Sequence, residues 1–148
     1  MEIEIGGHCR YQIRYHIVWK VKYSRKILFG RRRTYLKRVI EKIGERYDYE
    51  VEAVGTDKNH VHVFIGAHPA VAPAKLIQVL KSISAKAMYK HYPEIKEYLW
   101  GGAIWAIGYY VRTVSDGPID EVVREYVKQQ GLERGIKYRE NGQLKLVP

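Results

Sequence analysis

The segment from Tyr49 to Ile65, YEVEAVGTDKNHVHVFI, decides the fold. Two runs rich in β-branched residues, Tyr49–Thr56 and His60–Ile65, are joined by the short polar connection Asp57-Lys58-Asn59. Runs of this kind, bounded by polar turn residues, are typical of β-strands. The segment therefore predicts two neighbouring strands that meet through a tight turn.

The second of these strands carries two different faces, because alternate residues of a strand point to opposite sides of the sheet. One face is aliphatic and suited to packing under helices, with Val61, Val63 and Ile65; the other carries His60, His62 and Phe64. We expect this second face to be open to solvent. Neutral imidazoles are frequent ligands of divalent metals, but a His-X-His strand is as often a surface or hydrogen-bonded pair. The remaining histidines stand apart in the sequence and are interpreted as incidental: His8, His16, His68 and His91.

The flanking sequence predicts further elements on both sides of this pair. The predicted segments are a strand from Arg10 to Tyr23, a helix from Thr34 to Arg46, a long helix that ends before Pro93, a strand from Trp100 to Val114 and a helix from Ile119 to Gln130. The order β-α-β-β-α-β-α begins with the six elements of the ferredoxin-like arrangement. We predict an α+β, ferredoxin-like or RRM-like fold: an antiparallel sheet with two helices on one face, plus a C-terminal helix. Residues 1–131 would form the domain and residues 132–148 a tail.

Composition narrows the class of protein. The chain has 148 residues, enough for one domain with its own core, and a formal net charge of +10. Such a surplus favours a polyanionic partner, most often nucleic acid. Cys9 is the only cysteine, which excludes an intramolecular disulfide and a cysteine-based zinc cage. Without a signal-peptide pattern or a long apolar run, we expect a soluble cytoplasmic protein with no membrane partner.

The predicted last helix carries a possible second half of a site. Tyr126 and Gln130 are four residues apart, so their side chains share one face of the helix. The alternative is a core tyrosine whose hydroxyl finds an ordinary partner. Gln130 is less usual on an apolar face, because a buried amide needs hydrogen-bond or metal partners.

The densest basic cluster follows the first predicted strand and could bind phosphates. It comprises Arg25, Lys26, Arg31, Arg32 and Arg33. Exposed aromatic residues such as Tyr109 or Tyr110 could stack on unpaired bases, although strand tyrosines more often lie in the core.

Two segments together resemble the signatures of a known family. Asp57–Ile65 and Glu125–Gln130, supported by Tyr15–Trp19 and Val114–Gly117, resemble the motifs of the single-tyrosine HUH transposases of the insertion-sequence 200/605 family. Asn59 stands where many relatives carry an acidic residue.

The resemblance implies a small homodimeric enzyme that moves a transposon as single-stranded DNA with hairpins at its ends. It implies that His60, His62 and Gln130 bind Mg²⁺ or Mn²⁺ and that Tyr126 attacks the DNA to form a 5′-phosphotyrosine. It also implies that each active site is built from two subunits.

Other functions remain open at the level of the sequence. A non-catalytic single-stranded nucleic-acid-binding module would explain the charge and the aromatic residues, but not the histidine pair or Gln130. A relaxase or replication initiator commonly uses more than one tyrosine or a third histidine. A domesticated HUH endonuclease that acts on repeated hairpins would share the motifs.

Overall fold

The computed structural model describes residues 2–100 and 102–129, together with the backbone of two short strands further on. The helices are α1 (Arg31–Tyr47), α2 (Pro73–His91), α3 (Ile95–Tyr98) and α4 (Pro118–Lys128), and a 3₁₀ turn spans Lys22–Ser24. The strands are β1 (Glu4–Ile5), β2 (Arg10–Tyr11), β3 (Tyr15–Lys20), β4 (Glu50–Asp57), β5 (His60–Gly66), β6 (Tyr110–Thr113), β7 (Ile136–Tyr138) and β8 (Leu144–Leu146).

A four-stranded antiparallel sheet forms the centre of the fold. Its strand order is β4-β5-β3-β6, and all three pairings within it are antiparallel. β3 pairs with β5 over its full length, from Tyr15 opposite Ile65 to Lys20 opposite His60. The predicted ferredoxin-like class, with two long helices and an antiparallel sheet, is confirmed.

The aliphatic face of β5 lies in the main core, as its alternation predicts. Val61, Val63 and Ile65 are fully buried in one cluster with apolar side chains of α1 and α2, such as Leu36 and Leu80. Burial of one such side chain stabilises the fold by about 1.5–3 kcal/mol. This packing holds the two helices on one face of the sheet and turns the histidines to the other.

Two predicted strands are shorter than their patterns suggested. The Arg10–Tyr23 prediction was wrong in extent: Arg10 and Tyr11 pair with β1 instead of joining the central sheet, and β3 ends at Lys20. The Trp100–Val114 strand was also wrong, since only Tyr110–Thr113 is a strand. Trp105 makes a single bridge to Val21.

The indole of Trp105 explains why most of the Trp100–Val114 segment is not a strand. Its Nε1 donates to Lys81 O at 3.1 Å and to Ser84 Oγ at 3.0 Å, which holds the segment against α2. Gly108, where the sequence suggested a bulge, has a φ of +94°. A positive φ is incompatible with a regular strand, so pairing begins only after it.

The face of the sheet opposite α1 and α2 is not fully open, which corrects the expectation from the sequence. α4 contacts β4 and β5 on that face. Phe64 of β5 lies there in a second apolar cluster with Ala53, Val114, Val123 and Val127. The helix that was predicted from Ile119 to Gln130 begins at Pro118 and ends at Lys128.

The segment that was predicted to be a tail contains an antiparallel pair, β7 with β8. The boundary between domain and tail at residues 131 and 132 stays a prediction. Within the described part of the chain, no helix is both long and apolar enough to cross a membrane.

Candidate active site

His60 begins β5 and is oriented by its neighbour in the chain. The Nδ1 atom of His60 lies 2.7 Å from Oδ1 of Asn59. An amide oxygen can only accept a hydrogen bond, so Nδ1 carries the proton and Nε2 keeps its lone pair. Asn59 therefore holds His60 in the tautomer that leaves Nε2 available as a metal ligand.

His62 has an equivalent support from another strand. His62 Nδ1 lies 3.2 Å from Nε2 of His16, which belongs to β3. The two rings stack with centroids 5.4 Å apart, and the other side of His16 stacks on Phe64 at 4.4 Å. When Nδ1 of His62 donates the hydrogen bond to His16, the Nε2 atom of His62 keeps its lone pair. The interpretation of His16 as incidental was wrong.

A signal for His16 was present in the sequence. Ile17 and Trp19 alternate onto the aliphatic face and are buried in the main core, so His16 has to point to the face that carries His62. What the sequence lacked was the register, which puts His16 directly opposite Phe64.

Burial keeps these imidazoles neutral. Desolvation is the main cause that lowers the pKa of His16 to about 3, with a further contribution from Arg112. Desolvation also lowers the pKa of His60 and brings that of His62 well below its usual value. Since a histidine binds a metal through its neutral form, all three are in the required state at neutral pH.

The donor set fits a divalent ion in part. His60 and His62 are adjacent, with ring centroids 4.8 Å apart, and each is oriented through Nδ1. Among residues 2–100 and 102–129 no group of three histidine, cysteine or carboxylate side chains suits a metal. A third ligand must therefore be of another type or come from elsewhere. The predicted third ligand, Gln130, lies outside the described residues.

The tyrosine helix α4 docks on the sheet that carries the histidines. Val123 and Val127 are buried, and Tyr126 is half-buried against the same cluster as Phe64. Ile119 and Val122, two further apolar residues of α4, are 74% and 53% exposed. The helix therefore buries only part of its apolar side chains against the sheet.

An ion pair also faces the sheet from α4. Arg124 is 6% exposed, and its Nε lies 2.8 Å from Oε1 of Glu52 on β4. Its guanidinium also lies 5.6 Å from the centre of the Phe64 ring. Hydrophobic periodicity could not reveal a buried arginine, because its partner lies far away in the sequence.

The start of α4 is held by a carboxylate. Asp120 accepts hydrogen bonds from Ser115 N at 2.8 Å and from Ser115 Oγ at 3.1 Å, and it pairs with Arg112 of β6. Burial alone would raise the pKa of Asp120, but the bonds from Ser115 and Arg112 outweigh it and lower the pKa. Asp120 thus ties the tyrosine helix to the edge strand of the sheet.

Comparison with known proteins assigns the family. Residues 9–130 match the model of the family described as "Transposase IS200 like". The chain belongs to this transposase family. It is 33% identical to the ISDra2 transposase TnpA of Deinococcus radiodurans, over 88% of this chain and 92% of that protein. It is also 26% identical to the transposase for insertion sequence element IS200 of Salmonella typhimurium, over 84% and 80% of the two chains.

Solved structures agree with this assignment. A crystal structure of a candidate transposase from Deinococcus radiodurans superposes with a TM-score of 0.72 at 28% identity, covering 86% of this chain and 97% of that one. A REP-associated tyrosine transposase bound to a REP hairpin gives a TM-score of 0.57 at 12% identity, covering 88% and 78%. The second match supports the fold alone.

The basic cluster of this transposase divides into internal and exposed residues. Arg32 is buried and donates to Ile27 O and to Glu94, and Arg33 donates to Thr56. Arg25, Lys26 and Arg31 are exposed. Arg32 therefore has a structural role. DNA contact by the cluster stays a prediction, and the exposed residues Arg25, Lys26 and Arg31 are the members best placed for it.

We predict that Asp120→Asn makes the transposase less stable at pH 7 but not at low pH. The pKa of Asp120 is lower in the folded state than its ordinary value of 3.8, so its stabilisation is present above about pH 4 and is lost as pH falls through the folded pKa. Urea denaturation at several pH values measures this. Glu121→Gln, at an exposed position on the same helix, is the control. A stability difference that did not shrink in acid would contradict the assigned role.

Proposed function

We propose that this transposase cleaves and rejoins single-stranded DNA through a 5′-phosphotyrosine on Tyr126, with Mg²⁺ or Mn²⁺ bound by His60, His62 and Gln130. The observation that carries the proposal is the pair of neutral histidines, both with Nδ1 engaged, on the sheet to which the tyrosine helix is docked. Hydrogen bonds from Asn59 and from a second strand orient the two imidazoles. Packing of an apolar core would not need such an arrangement.

The reaction is a transesterification at phosphorus. The hydroxyl oxygen of Tyr126 loses its proton and forms a bond to the scissile phosphorus, while the bond to the 3′ oxygen breaks. The leaving oxygen takes up a proton and becomes a free 3′-hydroxyl. The phosphodiester energy is conserved in the tyrosyl ester, so a second 3′-hydroxyl can reverse the step and join strands without ATP.

Each residue of the site has a defined task in this scheme. A divalent ion held by His60, His62 and Gln130 would polarise the scissile phosphate and stabilise charge on the leaving oxygen. His60 and His62 contribute no charge of their own, since burial lowers the pKa of both. Asn59 and His16 act as positioning residues, because their hydrogen bonds orient the two imidazoles and neither is a proposed ligand of the metal.

The first experiment tests for the covalent adduct. Wild type should form a metal-dependent protein–DNA adduct on denaturing gels with single-stranded DNA from the flanks of the encoding locus. Tyr126→Phe should lose the adduct and keep DNA binding, because only the attacking oxygen is removed. An adduct that persists in Tyr126→Phe would assign another tyrosine. Tight DNA binding that EDTA does not weaken, without any adduct, would favour a non-catalytic nucleic-acid-binding module.

The second experiment tests the metal site and its support. His60→Ala combined with His62→Ala should abolish cleavage, because both proposed imidazole ligands are lost. His16→Phe keeps a ring to stack on Phe64 but removes the hydrogen bond to His62, so the Mn²⁺ concentration needed for half-maximal cleavage should rise about 10- to 100-fold.

The controls separate ligand loss from misfolding. His91→Ala, at an exposed position on α2, should behave as wild type in cleavage. His16→Phe should regain cleavage at high Mn²⁺ if it acts through His62. Cleavage that survives the double alanine variant would remove the proposed metal site.

We further propose that the partner is single-stranded DNA with hairpins and that the enzyme is a homodimer with shared sites. The hairpin draws support from the REP hairpin bound to a structural neighbour. The shared site follows from the family resemblance, whereas the docking of α4 on its own sheet makes an internal site the alternative.

Mixing two inactive subunits distinguishes the arrangements. A His60→Ala/His62→Ala subunit combined with a Tyr126→Phe subunit should restore part of the adduct if each site takes histidines from one subunit and tyrosine from the other. Separate preparations of each variant provide the background. No recovery, in a mixture shown by light scattering to contain dimers, would assign internal sites.

A further inference from the structure

The exposed side chain of Tyr23, which follows β3, lies beside the exposed side chain of Trp100, which follows α3. Tyr23 is 56% exposed and Trp100 is 79% exposed. Their ring centroids are 5.6 Å apart with planes tilted by 48°, and Lys22 Nζ lies 5.3 Å from the centre of the Tyr23 ring. We call Tyr23 and Trp100 the aromatic platform. Large exposed aromatic groups of this kind commonly mark a binding surface.

The backbone of the aromatic platform is held in an unfavourable conformation. Tyr23 has a φ of +60° and Trp100 a φ of +52°, and Ser24 is also positive at +52°. Elsewhere in the described part of the chain, Asp48 is the one other non-glycine residue with positive φ, and it caps the end of α1, where this conformation is common. Bulky side chains rarely adopt it, and such outliers concentrate at functional sites.

Hydrogen bonds fix the two segments of the aromatic platform to one another. Lys22 N donates to Ile104 O, and Ala106 N donates to Lys20 O, both at 2.8 Å. The hydroxyl of Tyr89 on α2 donates a hydrogen bond to the carbonyl oxygen of Gly102. The exposed rings are therefore carried on an anchored backbone, which lowers the entropy cost of binding a ligand.

The charge around the aromatic platform favours a polyanion. Residues 20–26, KVKYSRK, contain four cations and no acid, and residues 98–109 contain no charged side chain. Arg25 and Lys26 are exposed. Exposed aromatic rings next to cations are the combination that binds unpaired nucleotides, with bases on the rings and phosphates on the cations.

The aromatic platform also lies near the histidines. Lys20 is paired directly with His60 across the sheet, and Val21 N donates to Asn59 O at 2.9 Å. Tyr23 follows Lys20 by three residues, which limits the Cα separation to about 10 Å. The backbone of Tyr23 therefore lies within about 16 Å of that of His60.

We propose that the aromatic platform is a second contact site for single-stranded DNA, in which Tyr23 and Trp100 stack on unpaired bases next to the cleavage site and Lys22, Arg25 and Lys26 bind their phosphates. This inference rests on the proposed function, since it takes single-stranded DNA as the substrate. It adds a base-binding site that the phosphotyrosine chemistry itself does not need.

The test replaces each ring by asparagine, which tolerates positive φ better than most residues. Tyr23→Asn and Trp100→Asn should melt at or above the temperature of wild type, because the backbone strain is relieved. Their affinity for a fluorescein-labelled thymidine homopolymer, measured by anisotropy in EDTA, should each fall about 5- to 100-fold. Tyr47→Ala, which removes a 39% exposed ring at the far end of α1, is the matched control and should bind as wild type.

A change on the DNA side separates stacking from charge. Replacing the bases of the homopolymer by abasic sites should weaken binding to wild type but have little further effect on a Tyr23→Asn/Trp100→Asn double variant, because both stacking contacts are already lost in it. Binding should also quench the emission of Trp100, since Trp19 and Trp105 are only 1% and 5% exposed.

Unchanged affinity in both asparagine variants would overturn the proposal. So would a change in oligomeric state by light scattering without a change in affinity, which would make the patch an interface between copies of the chain. The Tyr126-dependent adduct distinguishes this failure from that of the proposed function. If the adduct forms but the asparagine variants bind DNA as wild type does, only the proposal for the aromatic platform is rejected. If binding depends on the rings but no adduct forms, only the proposed phosphotyrosine chemistry is rejected.

Discussion

The antiparallel pairing of β3 with β5 is the constraint on which the candidate site depends. It sets Ile17 opposite Val63 on the face under the helices and brings His16 to His62 on the other face. Because side chains alternate along a strand, a slip of one residue would exchange the two faces. The same contacts that bury the core therefore also fix which imidazoles meet, and the core and the site cannot be varied independently.

The orientation of the tyrosine helix depends in part on charges that sequence patterns do not reveal. Arg124 pairs with Glu52, and Asp120 with Arg112 and Ser115. Ion pairs of this kind contribute little net stability relative to apolar groups, but loss of one partner leaves the other charge partly buried and uncompensated. Their effect is to select one rotation of α4, in which Val123 and Val127 are buried while Tyr126 stays half-exposed at the margin.

Local periodicity was sufficient for several elements whose two faces differ, although it overextended the Arg10–Tyr23 strand, and it failed where the faces do not differ. The segment 49–65 and the two long helices have one apolar side each, and their bounds were predicted to within a few residues. The aromatic run from Trp100 to Val114 has no such contrast, so its pattern could not distinguish a strand from a loop held against α2 by Trp105. His16 was missed for a related reason: its partner lies 46 residues away, and only the sheet register joins them.

The two ends of the sheet differ in the charge of the side chains around them. The end of β5 at Gly66 opens on a cavity with five carboxylates and one guanidinium among its lining side chains: Glu4, Glu41, Glu45, Asp48, Glu50 and Arg14. The other end, at His60, faces Lys20 and the cations that follow it. The seven residues of β5 separate these ends by about 20 Å, more than a Debye length at physiological salt. The carboxylates near Gly66 therefore disfavour a polyanion at that end of the sheet, whereas Lys20 and the cations that follow it favour one at the other end.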